Sequence, residues 1–268
     1  MHPSHSGESA LKPAALTGIR VLDLSRVLAG PWASQTLGDL GAEIIKVERP
    51  QTGDDTRGWG PPYLKDGEGE PTSDAAYYLC TNRNKKSIAI DIATPNGQLL
   101  VRDLAKQCDV VIENFKVGSL QQYGLDYESL RAINPRLIYC SITGYGATGP
   151  ESELKAYDLM VQASSGLMSV TGKPDGAPYK SGSSVSDCIA GTFALSGVLG
   201  ALFQRTRTGE GQFIDVTAAA ILARLSRPVF TDEMIGRFHL AGDEDRALWV
   251  TLLQSDELAC VERTHRRL

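Results

Sequence analysis

One carboxylate, Asp187, lies at the junction of two stretches of opposite character. Residues 180–186 are small and polar, whereas residues 188–203 are apolar, rich in small side chains and free of charge. Apolar residues of the second stretch recur at spacings of three and four, which predicts a helix whose N-cap is Ser186 or Asp187. Asp187 is therefore either a simple cap or an ionised, accessible carboxylate at the positive end of a helix dipole, which suits a nucleophile. The neighbouring residues do not distinguish these two interpretations.

Other residue types that commonly carry catalysis are poorly placed. All four histidines lie near the termini, so the stretch between His5 and His239 offers no histidine for acid–base or triad chemistry. The five cysteines are widely scattered and no CxxC motif occurs, which favours free thiols in a reducing compartment over disulfides or zinc. We therefore expect no metal site and a cytoplasmic location.

The composition argues against several classes of protein. Hydrophobic residues make up 42% and charged residues 22%, which is ordinary for a soluble protein, and the net charge of −5 gives no reason to expect nucleic acid. No apolar run reaches membrane-spanning length, and the predicted helix after Asp187 is interrupted by Ser, Thr and Gly. The first residues lack the basic start and apolar core of a signal peptide, so we expect residues 1–15 to form a flexible tail.

Short apolar runs that alternate with helical patterns must position Asp187. Strands are predicted at residues 19–24, 42–47, 77–79, 86–91, 109–113, 137–142 and 212–216. Helices are predicted at residues 32–40, 98–107, 118–123, 127–134 and 218–224, and from Asp158 onward. This alternation predicts an α/β fold with an open, parallel, Rossmann-like sheet, in which ligands bind beyond the carboxyl ends of the strands. The dinucleotide fingerprint G-x-G-x-x-G is absent after the first strand, so a dinucleotide is not indicated.

Two polar segments follow the second predicted strand. Residues 48–63 form a loop rich in Gly, Pro and charge, and loops of this length often carry function. Residues 82–86 form a basic patch, which is either a solvated turn or a contact for phosphate, because Arg and Lys favour phosphoryl oxygens.

Seven segments, in unbroken order from Leu16 to Val216, together resemble one family. They read LTGIRVLDLSRVLAGPWASQTLGDLGAEIIKVERP, GDDTRGWGPP, NRNKKSIAIDI, DVVIENFKVGSL, INPRLIYCSITGYGATGP, YDLMVQASSGLMSVTG and TRTGEGQFIDV. This series resembles the class III CoA-transferases, the group that includes formyl-CoA, carnitine and bile-acid CoA-transferases. The sequences of the second and third segments, together with the residues ERP at the end of the first, most resemble the branch that moves CoA between short dicarboxylates such as succinate and glutarate.

The resemblance implies a nucleophile and a covalent mechanism. In the family an Asp at the start of the helix after a variable small-residue loop attacks the acyl-CoA thioester, and Asp187 in SVSDCIAG matches it. Formation of the mixed anhydride releases CoA thiolate, which then takes over the aspartyl group as an enzyme thioester. The acceptor carboxylate attacks this thioester, regenerates an anhydride and leaves as a new acyl-CoA. Because water would hydrolyse these intermediates, the site must be dry. The implied function is transfer of CoA from an acyl-CoA, such as succinyl-CoA, to a small carboxylic or dicarboxylic acid.

The resemblance also implies where CoA binds. CoA and acyl-CoA would be substrates rather than permanently bound cofactors, with Arg49 and Lys116 serving phosphates and apolar positions serving the adenine. The matching positions are Leu28, Ala29, Arg49, Ile90, Asp91, Ile92, Ala93, Asn114, Phe115, Lys116, Lys155, Ala156, Tyr157 and Asp158. An acyl-CoA racemase of the same fold family uses a histidine where this chain has Tyr157, which argues against racemisation.

The pattern changes after Val216. Residues 217–268 do not look like family sequence, whereas family members are considerably longer, carry a small second domain and form interlocked homodimers. The sequence therefore predicts a flexible tail at residues 1–15, a Rossmann-like CoA-transferase large domain at residues 16–216 with the small second domain missing, and a divergent tail at residues 217–268. The alternative is a catalytically impaired CoA-binding fragment of such an enzyme.

Overall fold

A six-stranded sheet forms the centre of the computed structural model, which describes residues 13–173 and 176–225. Two further strands pair with each other as a separate antiparallel hairpin. In chain order the strands are β1 Arg20–Asp23, β2 Glu43–Glu48, β3 Tyr63–Lys65, β4 Pro71–Ala75, β5 Lys85–Ala89, β6 Val110–Glu113, β7 Ile138–Thr143 and β8 Phe213–Thr217. The hairpin is β3 and β4, and the other six strands form the sheet.

The sheet has the order β5-β2-β1-β6-β7-β8, and every neighbouring pair is parallel. This arrangement confirms the predicted α/β fold with an open parallel sheet. The chain winds from β1 to one side through β2 and β5, and then returns to the other side of β1 with β6. The switch point between β1 and β6 leaves a crevice at the carboxyl ends of these strands, where such folds bind ligands.

The described residues contain seven α-helices, the last of which follows β8. They are α1 Ala29–Asp39, α2 Ala76–Asn82, α3 Pro95–Gln107, α4 Tyr127–Ile133, α5 Asp158–Ser164, α6 Val185–Thr208 and α7 Ala218–Leu225. Local sequence explains several ends: the Thr94 side chain accepts a hydrogen bond from the Gly97 amide before α3, and Gly209 ends α6 in the left-handed region at φ 76°.

Two apolar clusters cover the two faces of the sheet. One cluster joins α1, α5, α6 and α7 to the strands and includes Leu37 and Val198. The other joins α3 and α4 to the opposite face and includes Val101 and Leu130. Burial of these apolar side chains is the main force that holds the layers together, and it leaves the polar strand ends and their loops free to form a site.

The longest helix, α6, lies inside the first of these clusters. By length and composition it could cross a membrane, so the prediction that no apolar run reaches that length is wrong. In this fold, however, Ala190, Ala194 and Ala201 are fully buried against neighbouring elements, among them α1 and β7. Core helices can be equally long and apolar, and the buried alanines show that one face of α6 packs in the core of this fold.

The strand predicted at residues 77–79 is wrong, because these residues lie in α2. Tyrosines favour strands, but tertiary contacts decide the local structure here. The guanidinium carbon of Arg57 lies 3.8 Å from the centre of the Tyr78 ring, and the Tyr78 hydroxyl donates to Glu48 Oε1 at 3.0 Å. On the next turn, Asn82 Nδ2 donates to the Tyr78 carbonyl oxygen at 2.8 Å.

The chain ends fall partly outside the described residues. Of the predicted tail at residues 1–15, only residues 13–15 are described, and of residues 217–268 only those up to Leu225 are described. The helix predicted at residues 218–224 is present as α7. Cys260 and all four histidines lie outside the described residues.

Candidate active site

The helix α6 carries Asp187 in its first turn. The helix begins at Val185, and the side chain of the N-cap residue Ser184 makes no capping hydrogen bond. The prediction that Ser186 or Asp187 is the N-cap is therefore wrong. The first amides of a helix still need acceptors, and here another helix supplies one.

Asp158, the first residue of α5, supplies this acceptor. Its Oδ1 accepts a hydrogen bond from the Ser186 amide at 2.9 Å and another from the Ser186 hydroxyl. Its Oδ2 accepts from Gln162 Nε2 at 2.6 Å, and Gln162 Oε1 accepts from the Ser181 amide at 2.8 Å. A carboxylate at a helix N-terminus is favoured by both hydrogen bonding and the helix dipole. The network therefore fixes the polar loop before α6 against α5.

The Asp187 carboxyl itself is part-buried and unpaired. Within residues 13–173 and 176–225 its side chain accepts no hydrogen bond and forms no ion pair. Burial raises the pKa of Asp187 to about 7, and the negative charge of Asp158 adds to that shift. This shift runs against the interpretation of Asp187 as a carboxylate that stays ionised, because burial disfavours the charged form, and its role as a nucleophile stays a prediction.

The helix α2 brings the aromatic side chain of Tyr77 near Asp187. Burial raises the pKa of the Tyr77 hydroxyl, the Ser184 side chain opposes that shift, and the charges of Asp187 and Cys80 add to it. Trp59 packs edge-on against Tyr77 with a centroid distance of 5.4 Å. The sequence did not single out Tyr77, since its only signal is a pair of adjacent tyrosines in a segment that reads as a strand.

The start of α1 contacts the same helix one turn beyond Asp187. Gly191 follows Asp187 by four residues and so lies on the same face of α6. A Cβ atom built on Gly191 would lie 2.5 Å from the carbonyl oxygen of Ala29 and 3.0 Å from Trp32 Cδ1. Only glycine permits this approach, so the first turn of α1 fixes the position of the face that carries Asp187.

Four buried charges lie next to the turn between β1 and α1. Lys46 Nζ lies 2.9 Å from Asp54 Oδ2, and Lys85 Nζ lies 3.1 Å from Asp23 Oδ2, with no side chain more than 2% exposed. Burial alone would raise the pKa of Asp23, but Lys85 and Lys46 hold that pKa well below its usual range. Burial lowers the pKa of Lys85 to about 8, although Asp23 opposes the shift. Loss of either lysine would leave a buried carboxylate without its partner.

A cleft of about 180 Å³ opens at the carboxyl ends of β1, β2, β5 and β6. Leu24, Ser25 and Arg26 of the β1–α1 turn form part of its lining. Five of the predicted CoA positions also line it, namely Arg49, Ile90, Asp91, Ile92 and Phe115. The cleft therefore combines apolar side chains with an arginine at the edge where parallel sheets bind ligands.

Comparison with known proteins identifies the family. The model for CoA-transferase family III matches residues 16–253. The chain belongs to CoA-transferase family III. It is 57% identical over 201 residues to a succinate–glutarate CoA-transferase of Agrobacterium fabrum, which covers 75% of this chain. It is also 47% identical over 242 residues to a succinyl-CoA:glutarate CoA-transferase of Mus musculus, which covers 90% of this chain.

A solved structure agrees with this assignment to CoA-transferase family III. A CAIB/BAIF family protein from Brucella suis matches with a TM-score of 0.76 and 47% identity, over 88% of this chain and 60% of that one. The resemblance drawn from the sequence is thus confirmed. The chain spans about half the length of the curated relatives it matches, 50% of the bacterial and 52% of the mouse protein. The boundary at residue 216 stays a prediction, and the family match continues past it to residue 253.

In this CoA-transferase chain, several predicted CoA positions lie outside the cleft. Lys116 Nζ pairs with Glu153 Oε2 at 2.7 Å on the surface, and both side chains are more than half exposed. Lys155 is exposed, and Tyr157 is 74% exposed. A Cβ atom built on Gly144 would lie 1.9 Å from that of Ala156. These positions cluster around the loop before α5 rather than around the cleft.

The remaining predicted CoA positions already have structural partners. Leu28 and Ala29 are buried at the start of α1, and the Ala93 amide donates to Asp91 Oδ1 at 3.0 Å beside the cleft. The Asn114 side chain bonds the backbone of the β1–α1 turn. Asp158, as described above, caps α6. The binding roles of all these residues stay predictions.

The basic patch at residues 82–86 pairs with acids of the same domain. Arg83 pairs with Asp39, and Lys86 Nζ pairs with Glu43 Oε1 at 2.6 Å. Lys85 is buried with Asp23, as described above. Each cation of the patch is thus engaged within the chain, which favours a structural role over a contact for phosphate.

The four cysteines in the described part of the chain are free thiols. Cys108 and Cys140 are buried, Cys80 is exposed and Cys188 is half-buried beside Asp187. Burial raises the pKa of the Cys188 thiol, and the charges of Asp187 and Asp158 add to the shift. Within the same residues no group of three or more His, Cys, Asp and Glu side chains could hold a metal ion.

Proposed function

We propose that this chain binds CoA and uses Asp187 as the nucleophile of a CoA-transferase that takes succinyl-CoA as donor and a small dicarboxylate as acceptor. The single observation that carries the proposal is the unpaired, part-buried carboxyl of Asp187 in the first turn of α6. A structural carboxylate in that position would be bonded to the helix amides, and here Asp158 takes that role instead. Asp187 therefore remains available for chemistry.

The proposed reaction has four steps, and in each step a nucleophile attacks a carbonyl carbon and displaces a leaving group. The Asp187 carboxylate attacks the thioester carbonyl of succinyl-CoA, which forms a mixed anhydride and releases CoA thiolate. The thiolate attacks the aspartyl carbonyl, which forms an aspartyl-CoA thioester and releases succinate. The acceptor carboxylate then attacks this thioester to form a second anhydride and release the thiolate. Attack of the thiolate on the acceptor's carbonyl gives the new acyl-CoA and regenerates the Asp187 carboxylate.

The position of Asp187 fits the demands of this sequence. Partial burial lowers the access of water, which would hydrolyse an anhydride, and it also raises the pKa of the nucleophile to about 7. Asp187 lies in the first turn of α6, where the helix dipole favours negative charge as it develops. The nucleophile is active only when ionised, so the proposed reaction accelerates as the pH rises through about 7.

The cleft at the strand ends is the proposed site for the nucleotide end of CoA. Arg49 is 53% exposed at its side chain and its Nη2 lies 3.6 Å from Asp55 Oδ1, so it can reach a phosphate. Ile90, Ile92 and Phe115 offer apolar surface for the adenine. At about 180 Å³ the cleft is smaller than a typical ligand site, so it accommodates one end of CoA while the thioester extends toward α6.

The choice of substrates rests on the relatives. The bacterial and mouse relatives are CoA-transferases of succinate and glutarate, and identities of 57% and 47% to this chain support the same substrate class. A second candidate function is a CoA-binding fragment without turnover, and the observation that favours it is the coverage of only about half of each relative. A homodimer and a cytoplasmic location are further proposals, and light scattering on the purified chain tests the first of them.

Intact-mass spectrometry tests the nucleophile. The purified chain is incubated with succinyl-CoA, with and without hydroxylamine, beside Asp187→Ala and the control Asp103→Ala, which removes an exposed carboxylate of α3. The expected result is an adduct of CoA less water that hydroxylamine removes, present in wild type and control and absent from Asp187→Ala. An equal adduct in Asp187→Ala would refute the nucleophile. No adduct in any protein, with CoA binding seen by calorimetry, would favour the CoA-binding fragment.

A further inference from the structure

The turn between β1 and α1 is held by side chains rather than by regular backbone pairing. The Ser25 amide donates to Asp23 Oδ1 at 2.9 Å, and the Ser25 carbonyl oxygen accepts from Lys46 Nζ at 2.9 Å. The Val27 amide donates to both oxygens of Asp54 at 3.3 Å. Three of the four buried charged side chains, Asp23, Lys46 and Asp54, thus hydrogen-bond the backbone of this turn.

Asn114, in the loop after β6, hydrogen-bonds the backbone of Arg26, which lies between Ser25 and Val27. The Arg26 amide donates to Asn114 Oδ1 at 2.8 Å, and Asn114 Nδ2 donates to the Arg26 carbonyl oxygen at 2.7 Å. One side chain therefore satisfies both polar groups of one backbone unit, in the manner of a neighbouring strand. The Asn114 amide thus engages its oxygen and one of its two N–H groups, and one N–H and one oxygen lone pair remain.

The conformation held in this way is a strained one. Val27 has a φ of 69°, in the left-handed region that β-branched residues rarely adopt. Such a conformation persists only where the surrounding structure over-determines it. The hydrogen bonds from Asn114, Asp54 and Lys46 to the turn hold Val27 in this conformation.

The turn links the two parts of the proposed site. Leu24, Ser25 and Arg26 line the cleft, and Ala29, directly after the turn, touches α6 at Gly191. We propose that Asn114 is a positioning residue, which holds the β1–α1 turn in its strained conformation so that the cleft and α6 keep a fixed spacing before CoA arrives. The binding part of this proposal rests on the proposed function, whereas the part that concerns the turn does not.

Amide hydrogen exchange of the CoA-free chain tests the turn directly. Exchange at the Arg26 amide is followed by NMR in wild type, in Asn114→Ala and in the control Asn134→Ala. Asn134 is a matched control because its Nδ2 also bonds backbone carbonyls, those of Ala105 and Cys108 at 3.0 Å, but away from the cleft. We expect exchange at Arg26 to rise about tenfold or more in Asn114→Ala alone. Unchanged exchange there, or an equal rise in the control, would overturn the proposal.

A second variant separates positioning from loss of the fold. Asn114→Asp keeps the acceptor for the Arg26 amide but points a carboxylate oxygen at the Arg26 carbonyl oxygen, which repels it until a proton restores a donor. At pH 8 exchange at the Arg26 amide in this variant should lie between wild type and Asn114→Ala, because one bond is kept and the other is replaced by repulsion. At about pH 4, near the usual pKa of an Asp carboxyl, it should move closer to wild type relative to Asn114→Ala at the same pH. Exchange equal to that of Asn114→Ala at both pH values would contradict the bonds between Asn114 and Arg26.

Calorimetry with CoA then tests the consequence for binding. We expect the Kd of CoA to rise about tenfold in Asn114→Ala and to stay unchanged in Asn134→Ala. Altered exchange with an unchanged Kd would show that the turn is held by Asn114 but does not prepare the CoA site, which overturns the positioning role. If wild type binds no CoA, the proposed function fails, and the exchange experiment still decides whether Asn114 holds the turn.

Discussion

The carboxylate of Asp158 accepts a hydrogen bond from the Ser186 amide at 2.9 Å and so caps the helix that carries Asp187. The two acids thereby come close enough for the charge of one to raise the pKa of the other. The same contact ties α5 to α6 and holds the intervening polar loop. An acid that stabilises the helix thus also makes the neighbouring acid harder to ionise, and the first two predictions follow from that conflict.

Asp187→Asn should stabilise the folded chain at pH 8 and leave it unchanged at pH 3. The folded pKa of about 7 lies above the value of 3.8 expected when unfolded, so stability falls as the pH rises between these values. Above pH 7 the folded state carries the full cost of an ionised, part-buried carboxylate, on the order of 2 kcal/mol after allowance for solvent. Urea unfolding at both pH values measures the difference. A variant less stable than wild type at pH 8 would contradict the raised pKa.

Asp158→Asn should move the ionisation of Asp187 to lower pH. The asparagine keeps an acceptor for the Ser186 amide and removes the negative charge, at the cost of the hydrogen bond from Gln162. The rate of CoA adduct formation in wild type should rise with a midpoint near pH 7, and in the variant the midpoint should lie below that. Mass spectrometry of timed samples between pH 5 and 9 gives both midpoints. An unshifted midpoint would show that Asp158 does not influence the nucleophile.

Gly191→Ala should destabilise the chain by about 1–3 kcal/mol, because the new Cβ would meet the backbone oxygen of Ala29 at 2.5 Å and neither helix can yield cheaply. Gly200→Ala is the matched control on the same helix, since nothing lies within 4 Å of its Cβ position. The control should gain about 0.5–1 kcal/mol from the better helix propensity of alanine. Thermal melts compare the two, and similar effects at both sites would argue against close packing at Gly191.

Lys46→Met should cost about 3–5 kcal/mol, because it leaves the buried Asp54 carboxylate without its partner and the Ser25 carbonyl oxygen without a donor. Lys106→Met removes an exposed lysine that pairs with Asp103 on the surface, and its effect should lie within about 0.5 kcal/mol. Urea unfolding at pH 7 compares the two. A small effect of Lys46→Met would mean that water reaches the cluster.

The order of the six strands of the sheet was predictable, whereas the hairpin of β3 and β4, the helix α2 and the side-chain partners were not. The helix predicted at residues 118–123 is only a short 3-10 turn at Gln121–Tyr123. Alternating apolar runs gave all six strands of the sheet to within a few residues, because a buried parallel strand needs a short apolar segment. The N-cap prediction failed because the cap, Asp158, is distant in sequence and local patterns cannot show it. Tyr77 was missed for a similar reason, since contacts with other elements make its segment a helix.

One signal in the sequence could have revealed the buried charges. Lys46 lies between the apolar residues Ile45 and Val47 of one strand, and Asp23 ends another. A charge in a buried parallel strand requires a partner. That rule predicts pairing for both residues. It does not say which acid pairs with which lysine, because the order of the strands decides that.

The β1–α1 turn should tolerate no inserted residue. Five of the six backbone polar groups of Ser25, Arg26 and Val27 bond side chains, four of them from three other segments and one from Asp23 of β1. An added residue would shift these groups out of register with their partners. The hairpin loop between β3 and β4 is a contrast, since residues 66–70 are exposed and bond only one another. Length variation in this fold should therefore accumulate at the hairpin, and the turn should keep one length wherever the fold keeps its site.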